Sequence, residues 1–254
     1  MLTVDIIPCL SDNYSYVISD TSKKLVGVID PSEFTAVEKF ISKKYNKLDF
    51  IFNTHHHFDH IGGNQLLKAK YGSKIVGSKI DQNKIPGIEI LLNDSDNFEF
   101  GNTVFKIIFV PGHTEGHICF YSEKDKMIFT GDTLFSLGCG RIFEGTCSQM
   151  FASINKIKNL PKETKIFCGH EYTKKNLKFC LKIDKNNKFL KQKETWVNSR
   201  LSKNLPTIPA TLEDELRTNI FLRCDNDDVK NAIKLNSAPE EVIFKKLRNL
   251  KDDF

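Results

Sequence analysis

Thr54-His55-His56-His57-Phe58-Asp59-His60 places four of the chain's seven histidines and a carboxylate in seven consecutive positions, directly after the apolar run Phe50-Ile51-Phe52. On an extended backbone, side chains two apart lie on the same side. His55 and His57 are therefore expected to grip one metal ion from one face. Asp59 and His60 come where the chain turns and are expected to point at a second ion. Imidazole and carboxylate donors without thiolate suit zinc, iron or manganese, and do not suit an iron–sulfur cluster or a closed thiolate zinc site. His56 should face away from its neighbours, as a packed or solvated imidazole.

Three other places repeat the pattern of a β-prone run, a glycine and a ligand-type residue. Val104 to Val110 leads to Gly112-His113, Met127-Ile128-Phe129 to Gly131-Asp132, and Ile166-Phe167-Cys168 to Gly169-His170. A glycine lets the backbone turn sharply toward a site. Four strand ends thus deliver seven candidate ligands: His55, His57, Asp59, His60, His113, Asp132 and His170. His117 follows Gly116 and is expected to stand behind the ligands rather than among them.

His-x-His-x-Asp-His followed by separate His, Asp and His positions resembles the metallo-β-lactamase superfamily, and within it the hydroxyacylglutathione hydrolases (glyoxalase II). The resemblance is carried by Asp12-Asn13-Tyr14, Val28-Ile29-Asp30-Pro31, Thr54 to Gly63, Thr130-Gly131-Asp132-Thr133-Leu134-Phe135, Gly138-Cys139-Gly140-Arg141 and Cys168 to Thr173. It implies an α+β fold, an αβ/βα sandwich of two mixed sheets with outer helices followed by a smaller helical C-terminal domain. It implies that His55, His57 and His113 hold a first metal, that Asp59, His60 and His170 hold a second, and that Asp132 bridges. A hydroxide between the two ions would be the nucleophile, so Asp59 and Asp132 would enter catalysis as ligands. The cofactors implied are two divalent ions, zinc in the first place, with iron and manganese as alternatives. Arg141, Phe143, Tyr172, Arg248 and Lys251 fall where the family holds the tripeptide. Relatives commonly carry tyrosine where this chain has Phe143, which removes one hydroxyl contact. Asp30 is expected either to orient a ligand histidine or to hold the turn before Pro31.

The chemistry so implied is hydrolysis of S-2-hydroxyacylglutathione, above all S-D-lactoylglutathione, in methylglyoxal detoxification. A thioester fits this machinery, because its thiol leaving group, with a pKa of about 8.5, departs without a strong general acid. Other catalytic signatures are missing: no Gly-x-Ser-x-Gly elbow, no phosphate-binding loop, no dinucleotide fingerprint and no His-Glu-x-x-His helix. Cys139 and Cys147 have no base near them in sequence. Two other readings stay within the superfamily, a glutathione persulfide dioxygenase with a single iron and a nuclease. The complete second ligand set and the basic pair Arg248 and Lys251 argue against the former. The absence of a strongly basic face or added arm argues against the latter. A metal-binding scaffold without catalysis would not combine open coordination with a distant anion-binding pair.

At 254 residues, 40% hydrophobic and 27% charged, the chain has an ordinary globular composition. No run approaches the roughly 20 apolar residues of a membrane helix. A strand pattern begins at Val4-Asp5-Ile6-Ile7, leaving no room for a leader. The seven cysteines form no Cys-x-x-Cys pair, and several sit in apolar runs. Core thiols of a reducing compartment are the natural reading, hence a cytoplasmic location. The net charge of +5 rests on lysine. It suits a small anionic substrate, with no nucleic-acid or membrane partner, and a monomer is favoured.

Two domains are expected, 1–172 carrying the catalytic sandwich and 173–254 a helical glutathione-binding unit. In the former, a helix spaced on Phe34, Val37, Ile41 and Tyr45 precedes a buried strand over 49–53. Gly101-Asn102 marks a hairpin, a charged turn separates strands over 119–122 and 127–130, and a helix through Met150, Ile154 and Ile157 leads to a strand over 165–168. Helices around Leu177 and Trp196 follow. A proline-marked loop over 205–209 and a helix start at Thr211 come next. A final helix opens at the capping-box pattern Ser237-Ala238-Pro239-Glu240.

Overall fold

Ile118-Cys119-Phe120-Tyr121 is apolar at every position, as a strand covered on both faces must be. Ile118 and Phe120 point into one buried cluster, Cys119 and Tyr121 into another. In the computed structural model, which describes residues 2–22 and 24–254, that strand lies in one of two facing six-stranded sheets. The first sheet runs in chain order: β1 (Leu2–Cys9), β2 (Asn13–Asp20), β3 (Leu25–Ile29), β4 (Phe50–Phe52), β5 (Lys74–Ser78) and β6 (Ile88–Leu92). Its first three strands are antiparallel and the rest parallel. β7 (Asn97–Phe100), β8 (Thr103–Phe109), β9 (Ile118–Ser122) and β10 (Met127–Gly131) form an antiparallel meander in the second sheet. A two-stranded hairpin of β11 (Leu134–Phe135) and β12 (Gly138–Cys139) follows. β13 (Lys165–Cys168) then returns parallel to β10, and β14 (Ala210–Thr211) closes that edge.

The sheets meet through aromatic rings. Phe52 packs edge-on against Phe105 and Phe120, with ring centres 5.9 and 5.4 Å apart. Gly27 makes room for it, since a Cβ there would lie 2.8 Å from the Phe52 ring. Outside the first sheet, Val37 and Ile41 of α1 (Phe34–Lys44) and Leu67 of α3 (Asn64–Tyr71) cover Val26, Val28 and Ile51. A four-residue turn, α2 (Phe58–Ile61), lies just before α3. Outside the second sheet, Met150, Ile154 and Ile157 of α4 (Cys147–Lys158) cover Ile128 and Ile166. The result is an αβ/βα sandwich with helices on both outer faces.

The remaining helices are α5 (Thr173–Ile183), α6 (Lys188–Leu201), α7 (Leu212–Thr218), α8 (Asp227–Ala232) and α9 (Glu240–Asp252). They join the same cluster as α4: Leu177, Leu212, Phe244 and Leu247, with Phe221 from the short turn after α7, pack with Ile128 and Ile154. β14 pairs with β13, Ile166 opposite Ala210. Fully buried Glu215 accepts hydrogen bonds from Ser136 Oγ (3.0 Å) and the Leu137 amide (2.7 Å). Burial raises its carboxyl above the usual range.

One local expectation is corrected. Ser237 caps nothing; α9 starts after Pro239, which has no capping side-chain bond. A Ser237 cap would require helical backbone at Ala238, and the residue before a proline is pushed into extended conformations. The capping box lies instead at α4, where Thr146 Oγ1 accepts from the Gln149 amide and the Gln149 side chain accepts from the Thr146 amide. Six of the cysteines are buried and Cys147 is half-buried; all seven are free thiols. Among the described residues no helix is long and apolar enough to cross a membrane.

Candidate metal centre

β4 ends at Phe52 and α2 begins at Phe58, so residues 53–57 cross the open end of the sandwich outside regular structure. His57, at φ −60° and ψ 143°, is the last extended residue before the chain turns into α2. This change of direction separates the ligands. His55 and His57 converge with His113, from the loop after β8, while Asp59 and His60 converge with His170, from the loop after β13. Within each triad the ligand atoms lie within 4.8 Å of one another. Asp132, just past β10, stands between them. Its Oδ2 is 3.5 Å from His113 Nε2 and 3.3 Å from His170 Nε2, and its Oδ1 is 3.4 Å from His60 Nε2.

The donor set fits cations. His55 Nε2, His60 Nε2 and Asp132 Oδ1 are buried without a hydrogen-bond partner, a costly state unless an ion completes it. Burial opposes charge on Asp132, but His60 and His170 outweigh it and hold the carboxyl far below its usual range. Burial likewise opposes charge on His170, yet Asp132, Asp59 and Asp12 push it up to about 11. The carboxylates thus draw positive charge onto the second triad. Burial, followed by the neighbouring imidazole of His113, lowers His57 to about 4, leaving a neutral ring able to ligate.

The other face of each ring is held. His60 Nδ1 donates to Asp30 Oδ2 (3.0 Å) and His170 Nδ1 to Asp12 Oδ1 (2.8 Å). His113 Nδ1 donates to the Arg141 carbonyl (2.8 Å). His55 Nδ1 donates to Thr54 Oγ1 (3.0 Å), which donates to Asp30 Oδ2 (2.7 Å). Such outer hydrogen bonds fix the tautomer and aim Nε2 inward. His57 is the exception: its Nδ1 faces the centre, 3.0 Å from His113 Nε2. Asp30 serves both triads, one directly and the other through Thr54, and it also accepts the Thr54 amide (2.8 Å). It occupies φ +48°, a region that aspartate tolerates better than most residues.

Two glycines shape the centre by close approach as much as by turning. A Cβ on Gly169 would lie 2.3 Å from Asp132 Oδ1, and one on Gly131 (φ +45°) would lie 2.4 Å from Thr54 Oγ1. His117 is buried, stacks on His55 at 4.7 Å, and accepts the Asp132 amide at Nε2 (3.1 Å). His56 turns away from both triads, toward Asp81 and Glu144. Asp12, Asn13 and Thr54 belong to the motifs that carry the resemblance, but those motifs assign them no role. Asn13 donates to Asp59 Oδ2 (3.0 Å), so the turn between β1 and β2 secures two ligands of one triad. Only the short polar pair at that turn marks it.

The substrate candidates lie beside this centre and at α9. Tyr172 stacks on His170 with ring centres 4.6 Å apart, and Phe143, 61% exposed, sets its ring 5.2 Å from His113. Exposed Arg141 reaches Asp252 through Nε at 3.5 Å. Arg248 is only 4% exposed, and its guanidinium donates to the Cys139 carbonyl (2.7 Å) and Asp252 Oδ1 (2.9 Å). It thereby ties α9 to the strand that leads into Arg141. Lys251 lies over the rings of Phe179 and Phe254.

Family comparisons agree with this geometry along the whole chain. A model described as the metallo-beta-lactamase superfamily matches residues 10–170, and one described as the hydroxyacylglutathione hydrolase C-terminus matches 171–254. A hydroxyacylglutathione hydrolase of Pelagibacter ubique is 53% identical over 253 residues, spanning 100% of both chains. The chain belongs to the hydroxyacylglutathione hydrolase family. A second member, from Brucella anthropi, is 43% identical over 100% of this chain and 97% of its own. Among solved structures, ETHE1 from Myxococcus xanthus aligns with a TM-score of 0.68 at 21% identity, covering 98% of each chain. The B3 metallo-beta-lactamase BLEG-1 aligns at 0.67 and 21% identity, covering 87% of this chain and 99% of its own. At those identities the likeness is one of fold, shared by members with different printed names.

Proposed function

We propose that this enzyme hydrolyses S-2-hydroxyacylglutathione thioesters, S-D-lactoylglutathione to D-lactate and glutathione, as a step of methylglyoxal detoxification. The observation that carries the reading is the pair of triads joined by Asp132, in a chain whose relatives match it end to end under that name. His55, His57 and His113 would hold one divalent ion, Asp59, His60 and His170 the other, with Asp132 shared; zinc suits these donors best, and iron or manganese are admissible. When bound, such ions activate water and polarise a carbonyl. The chain's own part is to aim the ligands and to seat the substrate. Phe143 and Tyr172 flank the triads, while Arg141, Arg248 and Lys251 place positive charge for the glutathione carboxylates. No proton donor at the leaving sulfur is needed. Residues 1–172 would then act as the catalytic unit and 173–254 as the glutathione-binding one, within a single cytoplasmic monomer.

Purified protein should release thiol from S-D-lactoylglutathione, lose the activity to a chelator and regain it with zinc. Oxygen uptake with glutathione persulfide, in place of thioester cleavage, would overturn the reading in favour of a dioxygenase.

Lys251 gives a sharper test of the substrate. Burial lowers its ammonium to about 8. Below that pH it is charged and attracts a carboxylate; above it the charge is lost. KM for the glutathione thioester should therefore rise as pH passes upward through about 8, with Lys251→Arg flattening the rise. Removing both Arg248 and Lys251 should raise KM about ten-fold and change kcat far less, as expected when binding common to ground and transition states is lost. An unchanged KM would detach these residues from substrate.

A further inference from the structure

We infer that His56, with Asp81 and Glu144, forms a clamp that fixes the loop bearing Arg141 and Phe143 over the metal ligands, making His56 a positioning residue for substrate. The inference rests on the reading that this loop meets the thioester.

Asp81 is fully buried in the short 3-10 turn Lys79–Asp81 after β5, and neither carboxylate oxygen has a hydrogen bond of good geometry. Gly116 makes room for it, since a Cβ there would lie 2.2 Å from Asp81 Oδ1. The basic group facing this carboxylate is His56, with Nδ1 3.1 Å from Oδ1. The contact lies within ion-pair reach but outside hydrogen-bond geometry, since His56 Nδ1 is also without a hydrogen-bond partner. A buried carboxylate is costly unless a cation faces it, so charge attraction keeps the imidazole on this side. The opposite nitrogen, Nε2, is thereby aimed at Glu144 Oε1, 3.2 Å away.

Glu144 directly follows Phe143, and residues 140–146 form neither helix nor strand. The main-chain bonds of this loop are long: 3.3 and 3.4 Å from the Phe143 and Glu144 amides to the His113 carbonyl, and 3.2 Å from Gly145 to Gly112. Amide bonds in proteins are usually about 2.9–3.0 Å. Side-chain contacts therefore carry much of the loop's placement. Glu144 accepts the Glu115 amide at 2.8 Å as well as facing His56, while its pairing with Lys84 is solvent-exposed and correspondingly weak. His56 lies between two ligands, His55 and His57, and Phe143 sets its ring against His57 and His113. One imidazole thus registers the substrate loop against the ligand segment.

The test is a double-mutant cycle in the metal-loaded enzyme with S-D-lactoylglutathione. His56→Ala and Glu144→Ala should each raise KM about five-fold, leave kcat within about two-fold and keep the wild-type metal content, and the double variant should be no worse than the weaker single, because partners in one contact are not additive. Glu144→Gln has one acceptor oxygen, and when it accepts the Glu115 amide its NH2 turns toward His56. It should therefore raise KM nearly as much as Glu144→Ala, while Lys84→Ala should be nearly silent. Unchanged KM in both alanine variants, additive effects, or lost metal would each overturn the clamp. Should His56→Ala fail to fold, Glu144→Gln decides alone: a KM near wild type would show that the Glu115 amide and not His56 places the loop, and would overturn the clamp. A wild-type enzyme inert toward the thioester would instead remove the substrate reading, and the clamp's role with it.

Discussion

Replacing Asp132 with alanine should abolish thioester hydrolysis and strip metal from the protein. Asp132 approaches both triads at the ring nitrogens that face the centre: it lies 3.5 Å or less from Nε2 of His113, His60 and His170. It also carries charge that draws protons onto His170 and His60. Loss of an outer partner of a metal ligand typically costs about 10–100-fold in metal affinity, and loss of the shared ligand itself should exceed that. Metal per chain after gel filtration, measured beside turnover, is the check. Near-normal activity with two ions bound would sink the shared-carboxylate assignment.

Asp30→Ala should come next in severity, although Asp30 would touch no ion. One side chain holds His60, Thr54 Oγ1 and the Thr54 amide, and through Thr54 it holds His55. Metal affinity should fall about 10- to 100-fold. The metal-free protein should also lose stability, because a buried amide without an acceptor costs about 1–3 kcal/mol. Asp30→Asn should serve His60 no better, since accepting the Thr54 amide through its oxygen turns its NH2 toward another donor. Competition against a coloured chelator, with thermal unfolding of the metal-free variants, separates the two effects. Wild-type affinity in Asp30→Ala would show that the ligand rings are held by packing alone.

Much of this centre was legible in the sequence because its ligands sit at strand ends, where an apolar run stops and a polar residue begins. The two-residue spacing of His55 and His57 survives folding, although the segment runs beyond β4 rather than within it. Of the residues that aim the ligands, Asp30 was legible as one of two readings of the turn before Pro31, while Asp12 and Asn13 were not. Asp12 meets His170 across 158 positions, and Asn13 meets Asp59 across 46. Neither contact has a local pattern: the first forms where the start of β2 bridges the loop after β13, and the second where the same turn meets α2. Arg248 falls where the family holds the tripeptide, but nothing in its helical spacing shows that it is buried and donates to the Cys139 carbonyl of β12. β14 is two residues long and follows prolines 206 and 209, so no periodicity announces it. Its place is set by the free edge of β13.

The burial of the cysteines has a chemical consequence for an enzyme of this kind. A thioester exchanges its acyl group with any accessible thiolate, and the thiol it releases can form mixed disulfides with one. Burial raises all seven cysteines of this chain: Cys139 to about 11, Cys168 and Cys180 to about 12, and Cys9, Cys119, Cys147 and Cys224 above their usual range as well. At neutral pH a thiol near 11 is ionised only about once in ten thousand. The protein is therefore a poor acyl acceptor for the substrate it would cleave and a poor disulfide partner for the product it would release. Six of these thiols are also buried, so exchange with the released thiol should be confined to half-buried Cys147, which mass analysis after exposure to oxidised glutathione would check.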